Sequence, residues 1–141
     1  MPLAVTAPNG VLTASGRQQI IPLLSEAAIE ISGATGNGFF TPIVGGHVQI
    51  VEPGDVYAGG ANRPVVVVRF DLPDIGLGSV ELRAAFIKAA TEIVQRCAVP
   101  WHDPANTWVN IFNAPDGGWG IGGRAYTGDD LIAETMAAAR R

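Results

Sequence analysis

Cysteine occurs once in the 141 residues, at Cys97. That excludes an internal disulfide framework and a cysteine-based metal cluster. Cys97 also falls on an apolar helical stripe, where a thiol serves as a small buried hydrophobe rather than a nucleophile. The two histidines, His47 and His102, have no ligand-like spacing, so no metal site is expected. Lysine is nearly absent, with Lys88 alone. Charged residues make up 16% and the net charge is −4, which argues against sequence-independent binding of nucleic acid. No apolar run approaches about 18 residues, and no charged segment followed by an apolar one opens the chain. A soluble, cytoplasmic protein without a membrane partner is expected. Gly36-Asn37-Gly38 and Gly117-Gly118 lack a following helix with a lysine, so no phosphate cradle and no cofactor are expected.

What is abundant is apolar. Hydrophobic residues reach 48%, enough for a sizeable core, and the length fits one domain over residues 1–141. Low charge leaves apolar surface that needs cover, as at a subunit interface. Pro2 to Ala7 reads as a strand stopped by Pro8-Asn9-Gly10. A helix capped by Thr13 or Ser15 follows, with Ile20, Leu24, Ala27, Ala28 and Ile31 in one stripe. Pro22 inside it is expected to kink or restart the helix, and Ser32-Gly33 to end it. Residues 34–46 are uncharged and rich in glycine, a long loop or an extra hairpin. His47 to Val51 alternates as a second strand, and Val56 to Gly60 forms a short one. Val65 to Leu72 is β-branched and continuous, as in a strand buried on both faces. Ser79 caps a second helix whose stripe is Leu82, Phe86, Ala89, Ala90, Ile93 and Cys97. Thr107 to Asn113 is a further strand, and 129–141 a C-terminal helix capped by Asp129 or a tail that docks on a neighbour.

The chain also repeats itself. Val48-Gln49-Ile50-Val51-Glu52-Pro53, followed by Val56-Tyr57-Ala58-Gly59-Gly60, echoes Val109-Asn110-Ile111-Phe112-Asn113-Ala114-Pro115, followed by Trp119-Gly120-Ile121-Gly122-Gly123. Pro2 likewise echoes Pro64. Repeat one covers about 2–60 and repeat two about 64–123. Right-handed crossovers make the long strands of each copy parallel. Two β-α-β units side by side give an α/β fold, a four-stranded sheet with both helices on one face. The other face needs another subunit.

Removal of Met1 would leave Pro2 as a free secondary amine at a strand start, titrating near neutral pH. The plain alternative is that Met-Pro is an ordinary beginning. Arg69 is a cation in an otherwise apolar strand, able to hold a carboxylate with two hydrogen bonds or to pair with Asp71. Arg124 is a second candidate. Trp108 and Trp119 either wall a pocket or pack a core.

An amino-terminal proline opening a duplicated β-α-β chain resembles the tautomerase superfamily. So does Val56-Tyr57-Ala58-Gly59-Gly60 leading into the Val65 strand. Thr107-Trp108-Val109-Asn110-Ile111-Phe112 is similar to a strand of the migration inhibitory factor branch, and implies Trp108 and Asn110 as site residues. Trp119 to Asp129 looks more like the malonate semialdehyde decarboxylases. The resemblance implies a homotrimer with sites between subunits and Pro2 as general base on a small α-keto acid or similar enolisable carbonyl. Alternatives are decarboxylation or hydration-linked dehalogenation of three-carbon acids, and a non-catalytic binding protein. The chain departs from each branch. Gly33-Ala34 stands where a lysine is usual, and Asp71-Leu72-Pro73-Asp74-Ile75 stands where arginines are usual. Gly46 or a neighbour replaces a water-activating aspartate.

Overall fold

The computed structural model describes residues 1–141. In chain order it comprises β1 (Pro2–Pro8), α1 (Ala14–Ile31), β2 (Gly45–Val51), β3 (Tyr57–Ala58), β4 (Ala61–Asn62), β5 (Val66–Leu72), α2 (Val80–Cys97), β6 (Thr107–Asn113), β7 (Trp119–Ile121), β8 (Arg124–Tyr126) and α3 (Gly128–Ala139). The long strands form one sheet in the order β2-β1-β5-β6, while β3-β4 and β7-β8 are small hairpins. β1 runs parallel to β2 and β5 parallel to β6. β1 and β5 meet antiparallel, with Leu3 opposite Phe70 and Val5 opposite Val68. This is the duplicated β-α-β sheet that the repeat predicts.

Local chemistry sets the helix ends. Thr13, not Ser15, caps α1: its hydroxyl accepts from the Gly16 N–H at 2.9 Å. Ser79 caps α2 by accepting from the Leu82 N–H at 3.1 Å. α1 closes at Ser32, and Gly33 takes φ +69°, a left-handed geometry that glycine adopts without strain. Pro22 does not restart the helix. It lies on the exposed side, where the carbonyl four residues back can turn to water. Residues 34–46 contain no hairpin. The Asn37 side chain accepts from the Phe39 and Phe40 N–H groups at 3.0 and 2.9 Å and folds the segment into turns.

Both helices pack on one sheet face. Leu3, Val5, Val66, Val68, Phe70 and Leu72 point into the core against Ile20, Leu24 and Ala28 of α1 and Phe86, Ala90 and Val94 of α2. The Phe70 and Phe86 rings lie 4.9 Å apart, tilted. Such a pair adds about 0.5–1.5 kcal/mol to simple burial. β5 is therefore buried on one face, not on both: its residues alternate, with Arg69 outward. A continuous β-branched run does not reveal which faces are covered. The expected α2 stripe shifts as well. Leu82 is 39% exposed and lines a cavity, and Val94 is buried in the stripe. Cys97 is buried, and desolvation raises its thiol pKa, in keeping with a packing role.

Candidate functional site

The start of β1 places the amino terminus at one end of the sheet. Met1 is 8% exposed and packs with the core. Its ammonium donates to the Ile43 carbonyl. Burial lowers the amine pKa to about 6, with the Asp71 carboxylate opposing the shift. An amine held here is largely neutral at pH 7. Beside it, Gly46 lies opposite Leu3 in the parallel register. A Cβ at Gly46 would stand 1.8 Å from the Leu3 carbonyl oxygen, so no side chain of any kind fits at that position.

Next to Met1 lies a cavity of about 300 Å³. Its walls come from the end of α1, the 39–43 turn, the β5–α2 connection and α3. Phe39, Phe40, Ile75, Leu82, Ile132 and Met136 give it an apolar surface. The Asn37 amide donates to the Thr135 carbonyl at 2.9 Å and ties the turn to α3. Sequence reasoning did not find this site. Its one available signal was Leu131, Ile132 and Met136 at helical spacing, together with Phe39-Phe40 in an uncharged loop.

The residues singled out from sequence do not all meet. Pro2 is exposed at the start of β1. Extending the Leu3–Phe70 register by one residue sets Pro2 beside Asp71, whose partner on β6 is Phe112. Arg69 and Asn110 are direct register partners on the helix-free face, in the same row as Ala4 and His47. Arg69 donates from Nε to both Asp71 carboxylate oxygens, at 3.1 and 3.2 Å, and lies 4.2 Å over the Phe112 ring. The ion-pair alternative for Arg69 is thus the arrangement within one chain. Trp108 pairs with Val67. Four residues separate it from the Phe112 row, roughly 13 Å along a strand. It shares the face with Arg69 but not the end with Pro2. Arg124 is elsewhere, bound to Glu134 at 3.2 Å and Asp130 at 3.7 Å and stacked on Tyr126. Trp119 is half-buried against the core. His102 is buried, with Nε2 hydrogen-bonded to the Thr107 hydroxyl at 2.8 Å.

No protein-family model and no curated protein matches the sequence. Solved structures do match the fold: the sheet, helices and amino-terminal strand are arranged as in structures of the tautomerase fold. A fused 4-OT solved as a symmetric trimer is similar at a TM-score of 0.75 and 21% identity, over 94% of this chain and 98% of that one. Pt0534 inactivated by 2-oxo-3-pentynoate gives 0.74 and 20%, over 89% and 96%. N1, a member of the cis-3-chloroacrylic acid dehalogenase family, gives 0.70 and 15%, over 100% of both chains. No helix of this chain is long and apolar enough to cross a membrane.

Proposed function

We propose that this chain is a tautomerase, acting as a homotrimer, with Pro2 as general base on a small α-keto acid or similar enolisable carbonyl. The observation that carries the proposal is the seat of the amino terminus. Pro2 opens β1 directly beside an apolar cavity that Met1 helps to line. A base works best when its pKa lies near the operating pH. With Met1 attached, the Pro2 nitrogen is an amide and accepts no proton. Once Met1 is removed it is a secondary amine.

The step is balanced within the substrate. The Pro2 nitrogen takes a proton from the carbon beside the carbonyl. The C–H electrons form the C=C bond, and the carbonyl oxygen becomes an enolate. The prolinium then returns the proton to that oxygen. Nothing is oxidised or released, and no cofactor is required. Fixed donors stabilise the oxygen as its charge develops. Asn110 is suited to that role, and Arg69 to holding the substrate carboxylate in place of Asp71. Both lie on the helix-free face, so they and Trp108 act across a subunit boundary. Arg124 is the second candidate for the carboxylate, at the cost of its contacts to α3.

A second reading, hydration-linked decarboxylation or dehalogenation, is favoured by Asp71 near the amino terminus, a carboxylate able to activate water. It is disfavoured by the Arg69 pair that occupies Asp71 and by Gly46, where a carboxylate side chain does not fit. The test uses protein whose intact mass shows Met1 to be absent. Pro2→Ala is expected to lower kcat/KM for ketonisation of 2-hydroxy enoates by about 10²-fold or more. An unchanged rate in Pro2→Ala sinks the proposal, and a Met1 retained on native protein leaves the scaffold as a binding protein.

A further inference from the structure

Arg69 and Asp71 stand two residues apart on β5, so both side chains leave the sheet on its helix-free face. Their pair is loosely held. Arg69 donates to Asp71 through Nε alone, shared between the two carboxylate oxygens at 3.1 and 3.2 Å. The side chains are 53% and 35% exposed. Exposed pairs of this kind are weak. A carboxylate that accepts two parallel bonds from the guanidinium fork is a stronger partner.

Asp71 has a second neighbour. Extended by one residue, the β1–β5 register sets it opposite Pro2. Opposed residues of an antiparallel pair hold their Cβ atoms about 4.5–5.5 Å apart. The rest of that row is Gly45 on β2 and Phe112 on β6, neither of them charged. The next row brings Arg69 and His47, with Ala4 and Asn110. Asp74 is exposed in the β5–α2 connection. Asp71 is thus the one carboxylate in the row of Pro2. It also acts on the amine at this end of the sheet, where it opposes the effect of burial.

Proton uptake by the Pro2 nitrogen creates a positive charge that is absent before the reaction. We propose that Asp71 is a built-in competitor for Arg69, displaced by the carboxylate of the substrate, and that the freed Asp71 becomes the counter-ion of the prolinium. The inference rests on the reading of Pro2 as base. It adds no bond made or broken to the proton transfer: one carboxylate replaces another on Arg69, and Asp71 turns to the new charge. An interaction made only as the reaction proceeds raises kcat. Asp71 is a positioning residue that acts through Arg69 and Pro2.

The probe is oxamate, which has a carboxylate beside a carbonyl and no carbon-bound hydrogen to remove. It is titrated into protein freed of Met1. Asp71→Asn is expected to bind oxamate about threefold tighter, the scale of an exposed ion pair. An Asp71 that only orients Arg69 gives the opposite sign. Adding Asp71→Asn to Arg69→Gln is expected to give no such gain, which separates competition for Arg69 from simple repulsion of an anion. The counter-ion role is read from the 13C-proline signal that Pro2→Ala removes. Saturating oxamate is expected to raise the pH midpoint of that signal in the unsubstituted protein by about half a unit more than in Asp71→Asn. Equal or weaker binding by Asp71→Asn, the same gain in the Arg69→Gln background, no binding of oxamate, or equal midpoint shifts overturns the inference. Turnover separates the two proposals. A rate indifferent to Pro2→Ala, with the oxamate results as expected, leaves the exchange at Arg69 standing and removes the tautomerase reading. Pro2-dependent turnover with unchanged oxamate affinity in Asp71→Asn does the reverse.

Discussion

His102 and the amino terminus share a property: burial lowers the proton affinity of both on folding. The Met1 amine falls from 8.0 to about 6. The imidazole of His102 falls below its usual 6.5, desolvation outweighing the pull of Asp103 in the other direction. In each case the unfolded chain binds the proton first, so acid favours unfolding. For the amine the loss of stability develops between about pH 8 and about pH 6, and for His102 it begins as pH falls through 6.5. In the chain that keeps Met1, urea midpoints are therefore expected to decline from pH 8 to pH 5.5. His102→Gln is expected to show a shallower decline below pH 6.5, and an identical slope would clear His102 of the effect. Glycine shows the opposite kind of residue-scale constraint, one of space. At Gly16 a Cβ would stand 2.0 Å from the Cys97 carbonyl oxygen, so α1 and the end of α2 approach through an absent side chain. The same reason excludes an acid at Gly46.

Among the elements, α3 has two duties, closing the cavity and anchoring Arg124. Its start depends on Thr127, whose hydroxyl accepts from the Asp130 N–H at 3.1 Å while Asp130 accepts from the Thr127 N–H at 2.9 Å. Loss of an amino-terminal cap costs about 1 kcal/mol. Thr127→Ala is expected to lower Tm by a few degrees and to speed amide exchange over residues 131–135 more than in β1 or β5. Equal protection in both regions would show that the box does not hold the helix. α1, α2 and the four long strands were legible in sequence because each carries its own signal: a cap at Thr13 and Ser79, a helical stripe, a β-branched run. α3 begins earlier than Asp129 suggests, because Thr127 has the geometry of a cap and Asp130 answers it. The cavity was not legible. Its walls come from segments as far apart as Met1, Phe39, Ile75 and Met136, and nothing local in any of them specifies the others. Pro2 was visible as a residue type at a strand start. Its company was not, since register alone decides that Asp71 is near it and Trp108 is not.

At the scale of the whole molecule, the helix-free face asks for a partner. Trp108 is 42% and Phe112 47% exposed there, beside Arg69. The outer strands β2 and β6 each leave one edge unpaired in the sheet, and open edges readily accept another chain. On the homotrimer reading, sedimentation velocity is expected to show a species of three chains, and Trp108→Asp to shift it toward monomer. A wild-type protein that sediments as a monomer would remove the subunit boundary from the proposed site. The duplication has one further consequence, set by covalent connectivity. The two β-α-β units are related by an approximate twofold axis between β1 and β5, so the sheet possesses two like ends. At the first stands Pro2, whose nitrogen would become a free amine on the proposed loss of Met1. At the second, Pro64 follows Arg63 and its nitrogen is permanently acylated. On the proposed reading, each pair of units would own a single reactive amine. The pseudo-symmetric counterpart, barred from amine chemistry by its own peptide bond, is free to diverge.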